Sequence, residues 1–197
     1  MSHITLPRLF MRSCCGKSEN RTEPSVPKLL LLYVTPLSLL PPAMYVYSQL
    51  VHPGIILPRL EPALGLNEAL LVGAAFFMVE LLAVALMAMF IQQMGEAIDV
   101  VPSYAQAYAL AATAPTPLWL ATLGLLLPSF WVNLAFLVIA WFACAGLIRR
   151  GVQTLFMPYD DSRTHKLANT LTLIGAATWF ALLLFLVFLL SITVGWR

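Results

Sequence analysis

Glu80 is the ionisable residue that an apolar chain of this kind has most difficulty explaining, because it stands alone within the uncharged run Ala69–Ile91. A carboxylate at the centre of a bilayer costs at least about 2.5–3.5 kcal/mol on insertion scales, and no lysine or arginine lies inside any long apolar run to pair with it. The expectation is therefore a neutral acid that faces other helices. It either satisfies broken backbone or binds a proton or cation. Thr113 and Thr116 supply hydroxyls at a comparable place in another apolar run, and together with Glu80 they form a candidate intramembrane polar site.

Other reactive residues do not assemble into chemistry. His3, His52 and His165 lie in separate flanking segments and cannot converge on one metal, so no metal site is expected. No Gly-x-Ser-x-Gly elbow occurs, and no histidine within an apolar run can activate a buried serine. The chain reads as a non-enzyme with no cofactor and no catalytic residue. Gly16-Lys17-Ser18 has the end of a phosphate-binding loop, but Met11 occupies the place of its first glycine. Cys14-Cys15 reads as two exposed thiols, and three cysteines in all make no disulfide framework. Asp160, Asp161 and Arg163 form a loop of mixed charge that is a candidate docking site for a cytoplasmic partner.

The elements that must position Glu80 follow from composition. The chain is 60% hydrophobic and 10% charged, against about 45–50% and about 25% for ordinary soluble domains. It is an integral membrane protein whose first partner is the lipid bilayer. Dispersed basic residues at a net charge of +2 give no nucleic-acid patch. Apolar runs of about 20 residues, the length that crosses a bilayer core, occur at 29–51, 69–91, 107–127, 131–148 and 171–194, after a tail of residues 1–28. Leu6, Leu9 and Phe10, interleaved with Arg8 and Arg12, give that tail the pattern of a short helix lying on the membrane surface.

The count of five needs defending, because Val100–Ile148 is one uncharged block of 49 residues. As a single helix it would reach roughly 74 Å, more than twice the core thickness. The chain must turn, and Leu127-Pro-Ser-Phe130 is the place. Five spans put nine of the eleven basic residues on one side, whereas four spans with a re-entrant loop would leave six against five. The positive-inside rule selects five, with the N-terminus cytoplasmic and the C-terminus outside. The fold class is all-α, a polytopic bundle of five transmembrane helices.

Two of those helices are expected to be broken. The first holds Pro36, Pro41 and Pro42, and the third holds Pro115 and Pro117. Each proline removes a backbone donor and clashes with the carbonyl four residues earlier, which for the third run means Ala111 and Thr113. Hydroxyls of Thr113 and Thr116, or a neighbouring protonated acid, are the expected partners for those carbonyls. Pro41, Pro42, Pro115 and Pro117 are thus expected to mark helix breaks. Ala105, Ala109 and Thr113 form a small-residue face that admits a close neighbour.

The run Tyr104-Ala-Gln-Ala-Tyr-Ala-Leu-Ala-Ala-Thr-Ala-Pro-Thr-Pro-Leu-Trp-Leu-Ala-Thr-Leu-Gly124 resembles the third-span signature of the bacterial branch of the Yip (Ypt-interacting protein) family. Tyr33-Val-Thr-Pro-Leu-Ser-Leu-Leu-Pro-Pro-Ala-Met44 is similar to its proline-rich first span, and Gly146-Leu-Ile-Arg-Arg-Gly-Val-Gln-Thr-Leu-Phe-Met-Pro158 resembles its loop after the fourth. The resemblance covers about residues 29–190 and implies five spans, a cytoplasmic tail and a bacterial inner membrane, or an early secretory membrane in a eukaryotic host. Eukaryotic members are associated with Rab-type GTPases and with one another. Their tail motif Asp-Leu-Tyr-Gly-Pro is absent from residues 1–28, so the resemblance does not carry Rab-type GTPase binding to this chain. Two functions stay open. One is action through lipid contacts or a membrane-protein partner, including a second copy, in membrane organisation or trafficking-like processes. The other is a small transporter or channel using Glu80 and the broken spans.

Overall fold

The computed structural model describes residues 25–54, 56, 64–96, 102–156 and 161–195. The surface-helix, phosphate-loop and cysteine readings of the tail, and Asp160 in the docking loop, lie outside the described residues. So do the side chains of Asp161 and Arg163, whose backbone begins the last helix.

Among the described residues every regular element is helical, and five helices are long and apolar enough to cross a membrane: Val26–Val51, Leu66–Glu96, Tyr104–Leu126, Phe130–Leu155 and His165–Thr193. Leu127-Pro128-Ser129 turns the chain between the third and fourth. Leu127 is extended (φ −97°, ψ 125°), as a residue before proline prefers. Asn133 Nδ2 donates to its carbonyl at 3.3 Å.

The first span is broken twice. Leu30–Val34 forms a π-helical turn in which Thr35 Oγ1 donates to the Leu30 carbonyl at 2.9 Å. This wide turn accommodates Pro36, whose ring cannot follow a regular α-turn. A second interruption at Leu39 precedes the segment Leu40–Val51. Pro41 and Pro42 fall in its first turn, where a missing N–H leaves no helical bond unmade.

The third span follows the same logic. Ser103 opens it with a reciprocal cap: its hydroxyl accepts from Gln106 N–H while the Gln106 side chain accepts from Ser103 N–H. Tyr104–Thr113 is helical, Ala114 and Pro115 form a turn, and Thr116–Ala121 begins a new helix that tightens to a 3₁₀ turn over Thr122–Leu126. Pro115 makes the break. Pro117 sits in the first turn after it and continues the chain without further loss.

Packing explains why the break matters. Residues 107–112 are all buried, so the first half of the third span is surrounded rather than one-faced. It packs against the first, second and fourth spans. Its second half packs chiefly on the fourth span and on the segment Leu40–Val51, while the second and fifth spans pack on each other. Val84, Ile91, Tyr108, Val152, Phe156 and Leu171 belong to one core at the end where the third and fifth spans start and the second and fourth finish. That grouping requires alternating span directions. A smaller cluster of Tyr45, Val72, Leu186 and Leu190 closes the opposite half.

The tightest approach in the larger core is at Gly151, where an added Cβ would overlap the Leu110 side chain. Gly151→Leu is therefore expected to destabilise the bundle by about 1–3 kcal/mol through overpacking. Gly146, five residues earlier with no atom within 4 Å of an added Cβ, should accept leucine with a change within about 0.5 kcal/mol. Melting temperatures of the two purified variants check the contrast, and equal losses would contradict the packing described.

Candidate functional site

Glu80 lies one residue from the middle of Leu66–Glu96, and Pro115 is the middle residue of Tyr104–Leu126. The acid is only 7% exposed. Where the third span turns at Pro115, its second half follows the fourth and first spans, and a space opens beside Glu80. Two clefts meet there. One, of about 130 Å³, lies among the second, third, fourth and fifth spans. The other, of about 260 Å³, is lined from all five. Each greatly exceeds the roughly 10–15 Å³ that one water requires. Glu80, Pro115, Leu118, Trp119, Trp179 and Leu182 border both.

The walls are mostly hydrocarbon, and the few polar groups are unevenly satisfied. Trp119, 4% exposed, is the donor side chain that reaches the Glu80 carboxyl. Glu80 Oε2 has no hydrogen-bond partner. Asn133 Oδ1, on the fourth span in the wall of the larger cleft, has none either. An acceptor of this kind carries its full desolvation cost, about 1–3 kcal/mol. Cys144 is a buried free thiol in the wall of the smaller cleft.

The structure brings together some of the residues singled out from sequence and separates others. Pro41 and Pro42 line the larger cleft with Glu80 and Pro115. Gly73 on the second span faces this segment: a Cβ there would stand in ordinary contact with Pro42 Cβ at 3.5 Å and more tightly against Val46 Cγ2 at 3.3 Å. Thr113 and Thr116 border neither cleft. Thr113 Oγ1 donates to the carbonyls of Ala109 and Leu110 at 2.9 and 3.2 Å, within its own helix. Thr116 Oγ1 shares a 2.8 Å hydrogen bond with Tyr33 Oη, tying the third span to the first. The expected supply of hydroxyls to the Ala111 and Thr113 carbonyls is thus replaced by a local bond and a cross-span bond. A Thr side chain in a helix reaches the carbonyls three and four residues back more readily than one beyond the break.

Sequence reasoning passed over Trp119, Trp141, Trp179 and Asn133. A signal for the tryptophans existed. Tryptophan in membrane proteins gathers at the two interfaces, yet Trp179 is the central residue of His165–Thr193 and the other two lie within a few residues of their span centres. No group of three or more metal-binding side chains occurs among the described residues.

Comparison with known proteins places this arrangement. A family model described as the Yip1 domain matches residues 4–195. No curated protein and no solved structure matches the chain. A match running from the tail to the end of the last helix, over five membrane-crossing helices whose first and third are broken at proline, assigns this 197-residue chain to the Yip family.

Proposed function

We propose that this Yip-family chain is a non-enzymatic protein of a bacterial inner membrane that acts through contacts with lipids or membrane proteins made inside the bilayer. The observation that carries this reading is the pair of apolar clefts meeting at Glu80, bordered by every span and centred on the proline break. Mostly hydrocarbon walls suit an apolar partner better than a hydrated ion. The alternative, a small transporter, draws on a different feature: discontinuous helices at mid-membrane are where transporters hold ions, and Glu80 lies beside one. The loop at Asp160, Asp161 and Arg163 serves in this reading as a cytoplasmic docking point, and a second copy of the chain is one of the admissible partners.

Purification from native membrane without overexpression, with bound lipids and proteins identified, tests the first reading. A recurrent partner or lipid supports it. Ion or metabolite flux in reconstituted vesicles, abolished by Glu80→Gln, would replace it with the second.

Orientation gives a separate prediction. Nine of eleven basic residues fall on the side that holds the tail and the 149–168 loop, so reporters fused after residue 160 should read cytoplasmic and reporters at residue 197 external. A cytoplasmic reporter at residue 197 would contradict the orientation.

A further inference from the structure

Three of the five tryptophans, Trp119, Trp141 and Trp179, border the smaller cleft together with Glu80. They come from three different spans, so the convergence is a product of the fold. Indole faces attract cations, and the attraction strengthens when water is excluded. No lysine or arginine lines either cleft. Glu80 Oε2 and Asn133 Oδ1 have no partner: the amide oxygen is an acceptor, and a buried neutral carboxyl becomes one by giving its proton to a base, which an amine is. An anionic head group would meet the acid directly, and an acceptor-only one would leave the Asn133 oxygen unsatisfied.

The larger cleft continues from Glu80 between apolar side chains that include Phe76, Leu125, Leu137 and Leu186. On its fourth-span side Phe130 and Leu134 are each 38% exposed, which gives an entry from the surrounding hydrocarbon. A head group at the tryptophans and an alkyl tail in this second space would occupy both clefts with one molecule.

We infer that the joined clefts bind a single protonated long-chain amine, its N–H-bearing ammonium beside Glu80 among Trp119, Trp141 and Trp179 and its tail along the larger cleft. This deepens the intramembrane-contact reading and rests on it. The amine enters neutral and takes the carboxyl's proton, so the bound pair is an ammonium and a carboxylate: the carboxylate supplies the counter-charge and accepts from the ammonium. The indoles supply the polarisable surround, and the tail replaces space that hydrocarbon walls cannot fill themselves.

Calorimetric titration of the full chain in phosphatidylcholine nanodiscs, with empty nanodiscs subtracted, tests the inference using dodecylammonium and dodecanol as probes. Dodecylammonium should bind saturably, one per chain, and at least about tenfold more tightly than dodecanol. Glu80→Gln should weaken it by at least about tenfold, and Trp179→Leu should weaken it with little effect on dodecanol. Equal binding of the two probes to the parent chain would overturn the inference without any variant having to fold. So would the absence of saturable heat above empty nanodiscs. A negative result beside a recurrent native lipid or protein partner would remove the amine and leave the contact reading standing. Flux in vesicles would remove that reading on its own.

Discussion

Glu80→Leu is expected to melt at a temperature at or above that of the parent chain while abolishing its function. The carboxyl is buried, and one of its oxygens has no hydrogen-bond partner, the freed carbonyls of the third span included. Leucine, of comparable bulk, removes a group whose unmet hydrogen bonding costs about 1–3 kcal/mol. Against that stands the buried Trp119 donor, which loses its acceptor at a similar cost, so the net gain should be about 0–1 kcal/mol. Glu80→Gln keeps an acceptor for Trp119 but adds donors that the clefts do not meet, and it should fall at or below the parent in stability. Function should be lost in both, measured as restoration of a deletion phenotype. A stability bought at the expense of activity is the mark of a group kept for binding. A Glu80→Leu variant that melts well below the parent would show instead that the acid holds the broken helix together.

Replacing both Pro115 and Pro117 with alanine is expected to have the second largest effect. Each substitution removes about 3 kcal/mol of local penalty against a continuous helix. Restored N–H groups at 115 and 117 can then bond to the carbonyls of Ala111 and Thr113. A straightened third span would carry its second half along the second span and away from the fourth. Three consequences follow together: the clefts beside Glu80 shrink, the bond between Thr116 and Tyr33 breaks, and function falls although the chain stays helical. Spin labels at Met78 and Leu123, both exposed to lipid, should report a shorter distance between the second and third spans in the double variant. Either single substitution should be milder, because the remaining proline still costs about 3 kcal/mol inside a continuous helix; Pro117→Ala should do least, since in the broken span Pro117 sits where its missing donor is tolerated. An unchanged distance with unchanged function would remove the break from the account.

The parts of this fold that depend on length, charge and proline were legible in the chain itself. A 49-residue uncharged block cannot cross once, and a proline before Ser129 marks where it turns. The burial of Glu80 also followed from one-dimensional reasoning, because an acid at mid-span without a partner has only the bundle interior to face. What could not be read was the order in which the helices surround one another. Trp119, Trp141 and Trp179 are 22 and 38 residues apart along the chain, and only the packing of the fourth span on both the third and the fifth makes them one surface. Thr113 and Thr116 illustrate the opposite difficulty. Their depth was legible, yet hydroxyl direction depends on a competition between near carbonyls and a neighbouring phenol that spacing does not decide. The two proline pairs also looked equivalent to their partners in sequence. Position within the first turn of a new segment is what distinguishes Pro117, Pro41 and Pro42 from the residue that makes the break.

The central claim is that this chain works through a partner held inside the bilayer at Glu80. Native mass spectrometry of the full chain released from its own membrane, with parent and Glu80→Gln compared side by side, tests it most directly. One small amphiphile should be retained by the parent and missing from the variant, with annular lipids equal in both. Identical spectra from the two folded proteins, with no species that depends on Glu80, would contradict it.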